Sequence, residues 1–74
     1  MSVRTQFSAT SLRSLRRAAG VNRDVLAFAV GITTGSIANY EQGRTVPSAE
    51  VLARLADYLD CGVADFFEED GASV

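Results

Sequence analysis

The stretch VNRDVLAFAVGITTGSIANYEQGR, Val21 to Arg44, limits what this chain can become more than any other. It holds two short helical patterns separated by almost nothing. Asn22 suits a helix start, because its side-chain oxygen can accept from a first-turn N–H that has no partner within the helix. Leu26, Ala27 and Val30 come next at i, i+1 and i+4 on one face, and Gly31 readily adopts the left-handed conformation that ends a helix. Thr33 caps the second pattern. Its Ile37 and Tyr40 point one way, Thr34, Gly35, Ala38 and Asn39 another, and Gly43 stops it. Two such short helices, joined this closely, cannot each bury both faces and must cross steeply on a third element. Ala27 is small where they approach, so a larger residue there overpacks the crossing.

The rest of the chain reads in the same terms. Residues 1–7 have no periodicity and form a short N-terminal arm. Phe7 before Ser8, with Leu12 in the next turn, has the spacing of a hydrophobic staple around a cap. A first helix is predicted over about Ala9–Ala19, with Leu12, Leu15, Ala18 and Ala19 inward, Arg13 and Arg17 outward, and Gly20 as its stop. GRTVPS is a loop: Pro47 disfavours helical conformation before it and Ser48 caps the next helix. That helix, over about Ala49–Leu59, turns Leu52, Leu55, Ala56 and Leu59 inward. Asp60-Cys61-Gly62 breaks the pattern, and a final short helix over about Val63–Glu68 offers Val63, Phe66 and Phe67. Residues 69–74 read as an acidic flexible tail. No run alternates for long with period two, and Pro47 is the only proline. The expected architecture is therefore all-α: a compact five-helix domain over residues 8–68, built around a helix-turn-helix.

Several function classes are disfavoured at once. The chain has 74 residues, 47% of them hydrophobic, enough for one small core and no second domain. Cys61 has no second cysteine to pair with, reads as a small packed hydrophobe more than as a thiol, and finds no histidine with which to complete a metal set. No metal or cofactor is expected. Catalysis lacks its usual parts, since there is no histidine, no lysine and no Gly-rich phosphate loop, and the serines are accounted for by caps and helix surfaces. The chain should not be an enzyme. No apolar run approaches the roughly 18 residues that span a bilayer and no signal peptide is visible, so a cytoplasmic, nucleoid-associated protein is expected.

A net charge of −2 first argues against nucleic acid. The distribution argues otherwise. Residues 1–44 carry Arg4, Arg13, Arg16, Arg17, Arg23 and Arg44 against Asp24 and Glu41, a balance of +4, whereas residues 45–74 carry Arg54 against seven acids, a balance of −6. A binding surface feels the local field, because charges beyond about 8–10 Å are screened at cellular salt. Every cation is arginine, the side chain suited to phosphate and to guanine edges, although coding bias would give the same count.

A helix entering a major groove by its N-terminus presents its first turn and the residues one turn on to base edges. Here those are Thr34, Gly35, Ser36 and Asn39. Asn39 can make the bidentate contact to adenine, Thr34 can pack its methyl on thymine or offer its hydroxyl, and Gly35 lets the backbone come close. Arg23, Thr33, Gln42 and Arg44 suit phosphate contacts, with Thr33 serving equally as a cap. Glu41 needs a different explanation, because a free carboxylate at the end of a helix opposes both the helix dipole and DNA. Arg16 on the first helix is its natural partner. Val25 and Phe28 fall opposite the inward face of the first short helix, where they either fold back on the arm or first helix or form a surface for another protein.

The segments LRRAAGV, LAxxVGITxxSIxNYEQGRxxPS and LARLADYL…VADFF resemble the Cro and lambda-repressor-like (XRE-like) helix-turn-helix family over roughly Leu12 to Phe67. The resemblance implies a five-helix domain, recognition by the helix from Thr33 or Thr34 to about Glu41, and commonly a two-fold dimer. It also implies that positions matching Thr34, Gly35 and Asn39 touch bases, that those matching Arg23, Thr33, Gln42 and Arg44 meet the backbone, and that Arg16 pairs with Glu41. The chain departs from the family in carrying Arg23 where glutamine is usual, and Val25 and Phe28 where polar residues are usual.

The expected function is that of a sequence-specific double-stranded DNA-binding regulator, a repressor or autoregulator acting as a homodimer on a pseudo-palindromic operator. One short reading helix covers too few base pairs to be specific alone. Val63, Phe66 and Phe67 are the expected dimer seam, with at least one phenylalanine closing the monomer core instead. The alternative is a protein-interaction module on the same fold, such as an antitoxin or a phage or mobile-element control protein, using the Val25/Phe28 surface.

Overall fold

Four side-chain oxygens start four helices. Ser8 accepts from the N–H of Ser11, Asn22 from Val25, Thr33 from Ser36 and Ser48 from Val51, each satisfying a first-turn donor that the helix itself leaves unpaired. In the computed structural model, which describes residues 3–70, these caps open α1 (Ala9–Ala18), α2 (Arg23–Val30), α3 (Thr34–Glu41) and α4 (Ala49–Leu59). Gly31 ends α2 in the left-handed region at φ 77°, which turns the chain within three residues into α3. Asp60 ends α4 at φ 57°, a conformation that aspartate tolerates better than most side chains.

The inward faces are those the helical period marks. Leu12 of α1, Leu26, Ala27 and Val30 of α2, Ile37 of α3, and Leu52, Leu55, Ala56 and Leu59 of α4 form one buried cluster. The pair α2–α3 is seated between α1, which packs on α3, and α4, which packs on α2. This is the third element that two short crossing helices require. No helix among the described residues is long and apolar enough to cross a membrane.

The two ends of the chain differ from expectation. The described residues contain four α-helices rather than five, together with a small sheet. Val63–Phe66 makes a single 3-10 turn, and the chain then straightens into a strand instead of continuing as helix to Glu68. Val3–Phe7, expected as an arm, is strand β1, and Phe67–Asp70 is its antiparallel partner β2. Phe7 stands opposite Phe67 and Val3 opposite Asp70, with an irregularity between Arg4 and Gln6. The Ser8 N–H donates to the Phe66 carbonyl at 2.6 Å, and the Phe7 and Phe67 rings meet edge-on with centroids 6.2 Å apart. Glu69 and Asp70, expected in the flexible tail, belong to β2. The remainder of that tail, 71–74, lies outside the described residues.

The burial of three side chains also differs from expectation. Ala18 and Ala19, at the C-terminal end of α1, are exposed. Phe66, assigned to a dimer seam, is wholly buried inside the monomer, where the 3-10 turn folds it between α1 and α4. Phe67 is half-buried against the same core, and Val63 remains exposed.

Candidate nucleic-acid interface

α3 has one polar residue on its inner side. Glu41, its last residue, is 2% exposed, and Arg16 of α1 is 9% exposed. Their side chains meet as a two-point pair: Arg16 Nε donates to Glu41 Oε2 at 2.6 Å and Nη2 donates to Oε1 at 3.1 Å, while Nη1 donates to the Val21 carbonyl at 3.0 Å. The pairing expected from electrostatics is thus present in the structure. Arg23, at the start of α2, adds a third contact, donating Nε to Glu41 Oε1 at 3.1 Å. Burial on its own pushes the Glu41 carboxyl pKa up. Hydrogen bonds from Arg16 and Arg23, together with their charges, outweigh that and hold it below the ordinary value. The hydrogen bond from Arg16 to Glu41 in turn raises the guanidinium pKa, against the opposing effect of burial.

Arg13 was expected to face outward. It is half-buried instead, with Nη2 3.4 Å from the Glu41 carbonyl and Nε enclosed without a hydrogen-bond partner among the described residues. The end of α3 is therefore bound to α1 through both the side chain and the main chain of Glu41. The spacing could have placed Arg13 here, because i and i+3 share a helix face and Arg16 is the expected partner of Glu41.

The opposite face of α3 is open. Thr34 and Gly35 are exposed, and Ser36 and Asn39 are partly exposed. The Asn39 amide makes no hydrogen bond among the described residues. Thr33 Oγ1 caps the helix by accepting from the Ser36 N–H at 3.1 Å, and it lies 3.0 Å from Ser36 Oγ. Thr34 Oγ1 donates to Asp24 Oδ1 at 2.7 Å, tying the start of α3 to the first turn of α2. No sequence signal singles out Asp24, since a contact ten residues away across a turn arises from no helical period. Gln42 and Arg44 are exposed beyond the end of α3, next to the left-handed Gly43. The result is an open face of small polar groups, with Arg23, Thr33, Gln42 and Arg44 at or beyond the two ends of α3. Arg4 is part of β1, but its side chain lies outside what the structure describes.

The other sequence candidates fall elsewhere. Val25 is 43% and Phe28 90% exposed, so Phe28 does not fold back on α1 or β1. Cys61 is half-buried, and burial, with the charges of Asp65 and Asp60, pushes its thiol pKa up, away from nucleophilic reactivity.

A short helix, a three-residue turn and a second helix whose outer face is free define a helix-turn-helix DNA-binding domain. The chain belongs to the helix-turn-helix domain family, which it matches over residues 9–66, and within it to the XRE/Cro-like proteins. Among solved structures it resembles the P22 c2 repressor, determined in complex with a synthetic operator, at 27% identity and TM-score 0.74, over 80% of this chain and 89% of that one. It resembles the restriction-modification controller protein C.AhdI from Aeromonas hydrophila at 30% identity and TM-score 0.75, over 80% and 89%. It also resembles the clp gene regulator ClgR from Corynebacterium glutamicum at 36% identity and TM-score 0.74, over 78% of this chain and 62% of that one. No curated protein matches the chain in sequence.

Proposed function

We propose that this chain is a sequence-specific double-stranded DNA-binding transcriptional regulator, a repressor or autoregulator that acts as a homodimer on a pseudo-palindromic operator. The observation that carries this reading is the asymmetry of α3. Its inner side is fastened by Ile37 and the Arg16–Glu41 pair, and its outer side leaves Thr34, Gly35 and Asn39 free for base edges. Arg23, Thr33, Gln42 and Arg44 would bracket that face with phosphate contacts, and Ser36 would add a short polar contact beside Asn39. The P22 c2 repressor, of similar fold, is an operator-binding protein, and C.AhdI and ClgR are a controller and a gene regulator.

Dimerisation is part of the proposal because a single eight-residue reading helix is too short for useful specificity. Half-sites would then lie about one helical turn, ~34 Å, apart. With Phe66 inside the monomer, exposed Val63 and half-buried Phe67 are what remain of the expected seam.

A second reading is favoured by Phe28, whose ring is almost wholly in solvent beside exposed Val25. On that reading the domain also engages another protein, as an antitoxin or a phage or mobile-element control protein would. Titration against a random duplex pool at two salt concentrations separates the two. Enrichment of a palindrome, with affinity falling steeply as salt rises, supports the regulator. No enrichment of any duplex, with a partner protein bound through Val25 and Phe28, overturns it.

A further inference from the structure

Asp24 is an acid placed beside the reading helix, where the phosphates of a duplex would repel it. It is the second residue of α2, and its Oδ1 takes the hydroxyl proton of Thr34, the first residue of α3, at 2.7 Å. A threonine hydroxyl has one proton to give and lone pairs with which to accept. With the proton committed to Asp24, the oxygen facing a base can only accept. In the major groove adenine presents an amino group through N6 and cytosine through N4, whereas guanine presents only the acceptors N7 and O6. We infer that Asp24 is a positioning residue for specificity: by fixing Thr34 as an acceptor, it selects adenine or cytosine and excludes guanine at one position in each half-site.

Thymine offers no donor either, but its methyl group can pack against the Thr34 methyl, so guanine is the base most disfavoured. Exposed to water, such a hydrogen bond is easily exchanged. Enclosed between protein and base edges it holds, because competing water is displaced and the local dielectric falls. A first-turn acid also favours the α2 dipole, but that role predicts no change in which bases are bound. The inference rests on the proposed placement of Thr34 against base edges, so the experiment has to separate the two.

The full chain is used to select from a random duplex pool, and the bound fraction is sequenced. The wild type should deplete guanine about fivefold or more against adenine and cytosine at one position per half-site. Asp24→Ala frees the Thr34 hydroxyl to donate, and guanine there should recover to within about twofold of the other bases while the rest of the operator is unchanged. Thr34→Val removes the hydroxyl, and adding Asp24→Ala to it should change nothing further at that position. Guanine depletion that persists in Asp24→Ala overturns the inference, as does an Asp24→Ala effect of equal size in the Thr34→Val background. A wild type that selects an operator without any such position overturns this inference alone. A wild type that selects no operator overturns the DNA-binding reading and this inference with it.

Discussion

Arg23 donates its Nε to Oε1 of Glu41 at 3.1 Å, sharing that oxygen with Arg16 Nη2 at the same distance. One enclosed carboxylate thus joins the last turn of α1, the first residue of α2 and the last residue of α3. The two arginines differ in what they have left. Arg16 is enclosed, and its remaining terminal nitrogen goes to the Val21 carbonyl. Arg23 is about a third exposed and keeps both terminal nitrogens for an outside acceptor. Arg16 is therefore wholly engaged within the fold, whereas Arg23 is engaged through one nitrogen and open through two.

Arg16→Ala should cost about 3–5 kcal/mol, because it leaves the Glu41 carboxylate buried with only one partly exposed partner. For a domain of this size that is a large share of the whole stability, so the variant should be substantially unfolded at 25 °C. Denaturant titration followed by circular dichroism reads the loss. A variant that remains as stable as wild type, with only its DNA affinity reduced, would show the pair to be a DNA-contact device and not a structural one.

Acid should act through the same group. The Glu41 pKa in the folded chain lies below its unfolded value, so the unfolded chain takes up the proton first as pH falls. The stabilisation is complete above the ordinary glutamate value of about 4.3 and is lost progressively below it, as pH falls through the depressed folded value. Melting temperature should be flat with respect to this group near neutrality and decline below about pH 4. In a Glu41→Gln variant that is still folded enough to melt, this acid limb should be weaker. The raised Arg16 value matters only in strong alkali, beyond any working range.

Arg23→Gln tests the outward half of the arrangement. Arg16 still holds Glu41, and the lost pair is partly exposed, so stability should change by about 0–1 kcal/mol. DNA affinity should fall, and the slope of log affinity against log salt should become shallower by about 1, as when one phosphate contact is lost. An unchanged slope would remove Arg23 from the phosphate contacts.

How much of this could be read from the chain depends on the range of the interaction. The caps Ser8, Asn22, Thr33 and Ser48 act over three residues, so residue type and spacing reveal them. Leu26, Ala27 and Val30 show their shared face by helical period, and the pairing of Arg16 with Glu41 comes from asking what offsets a carboxylate at the end of a helix. The sheet was not legible, because strands of five and four residues are too short to show alternation and their pairing joins opposite ends of the chain. Phe66 and Phe67 look alike in sequence. Only the 3-10 turn, which sends one into the core and the other onto Phe7, tells them apart. Asp24 was not legible either, because its partner lies across the turn.

The sheet makes a prediction of its own. Phe7 is half-buried, faces Phe67 edge-on and helps to close the core beside Phe66. Phe7→Ala should cost about 1–3 kcal/mol, less than for a fully buried phenylalanine, because part of the ring is already in water. Thermal unfolding measures the cost, and hydrogen exchange should show β1 and β2 losing protection while α2 and α3 keep theirs. An unchanged melting temperature would mean that the strands do not contribute to the folded domain.

Gly35→Ala should move stability and binding in opposite directions. Gly35 sits in the first turn of α3 with no positive φ, and a Cβ built there comes no nearer than 3.8 Å to Thr33 Oγ1, an ordinary contact. The methyl group therefore fits the free protein, and the gain in helix propensity should stabilise it by about 0.5–1 kcal/mol. In the complex the same methyl would stand between the α3 backbone and the base edges that Thr34 and Asn39 reach. Operator affinity should drop by about tenfold, with no change in salt dependence because no phosphate contact is lost. Thermal melts and titrations on a selected operator would check both signs. A variant that binds its operator as tightly as wild type would show that the backbone of α3 does not approach the bases closely, and that the glycine is carried at a cost in stability without a return in recognition.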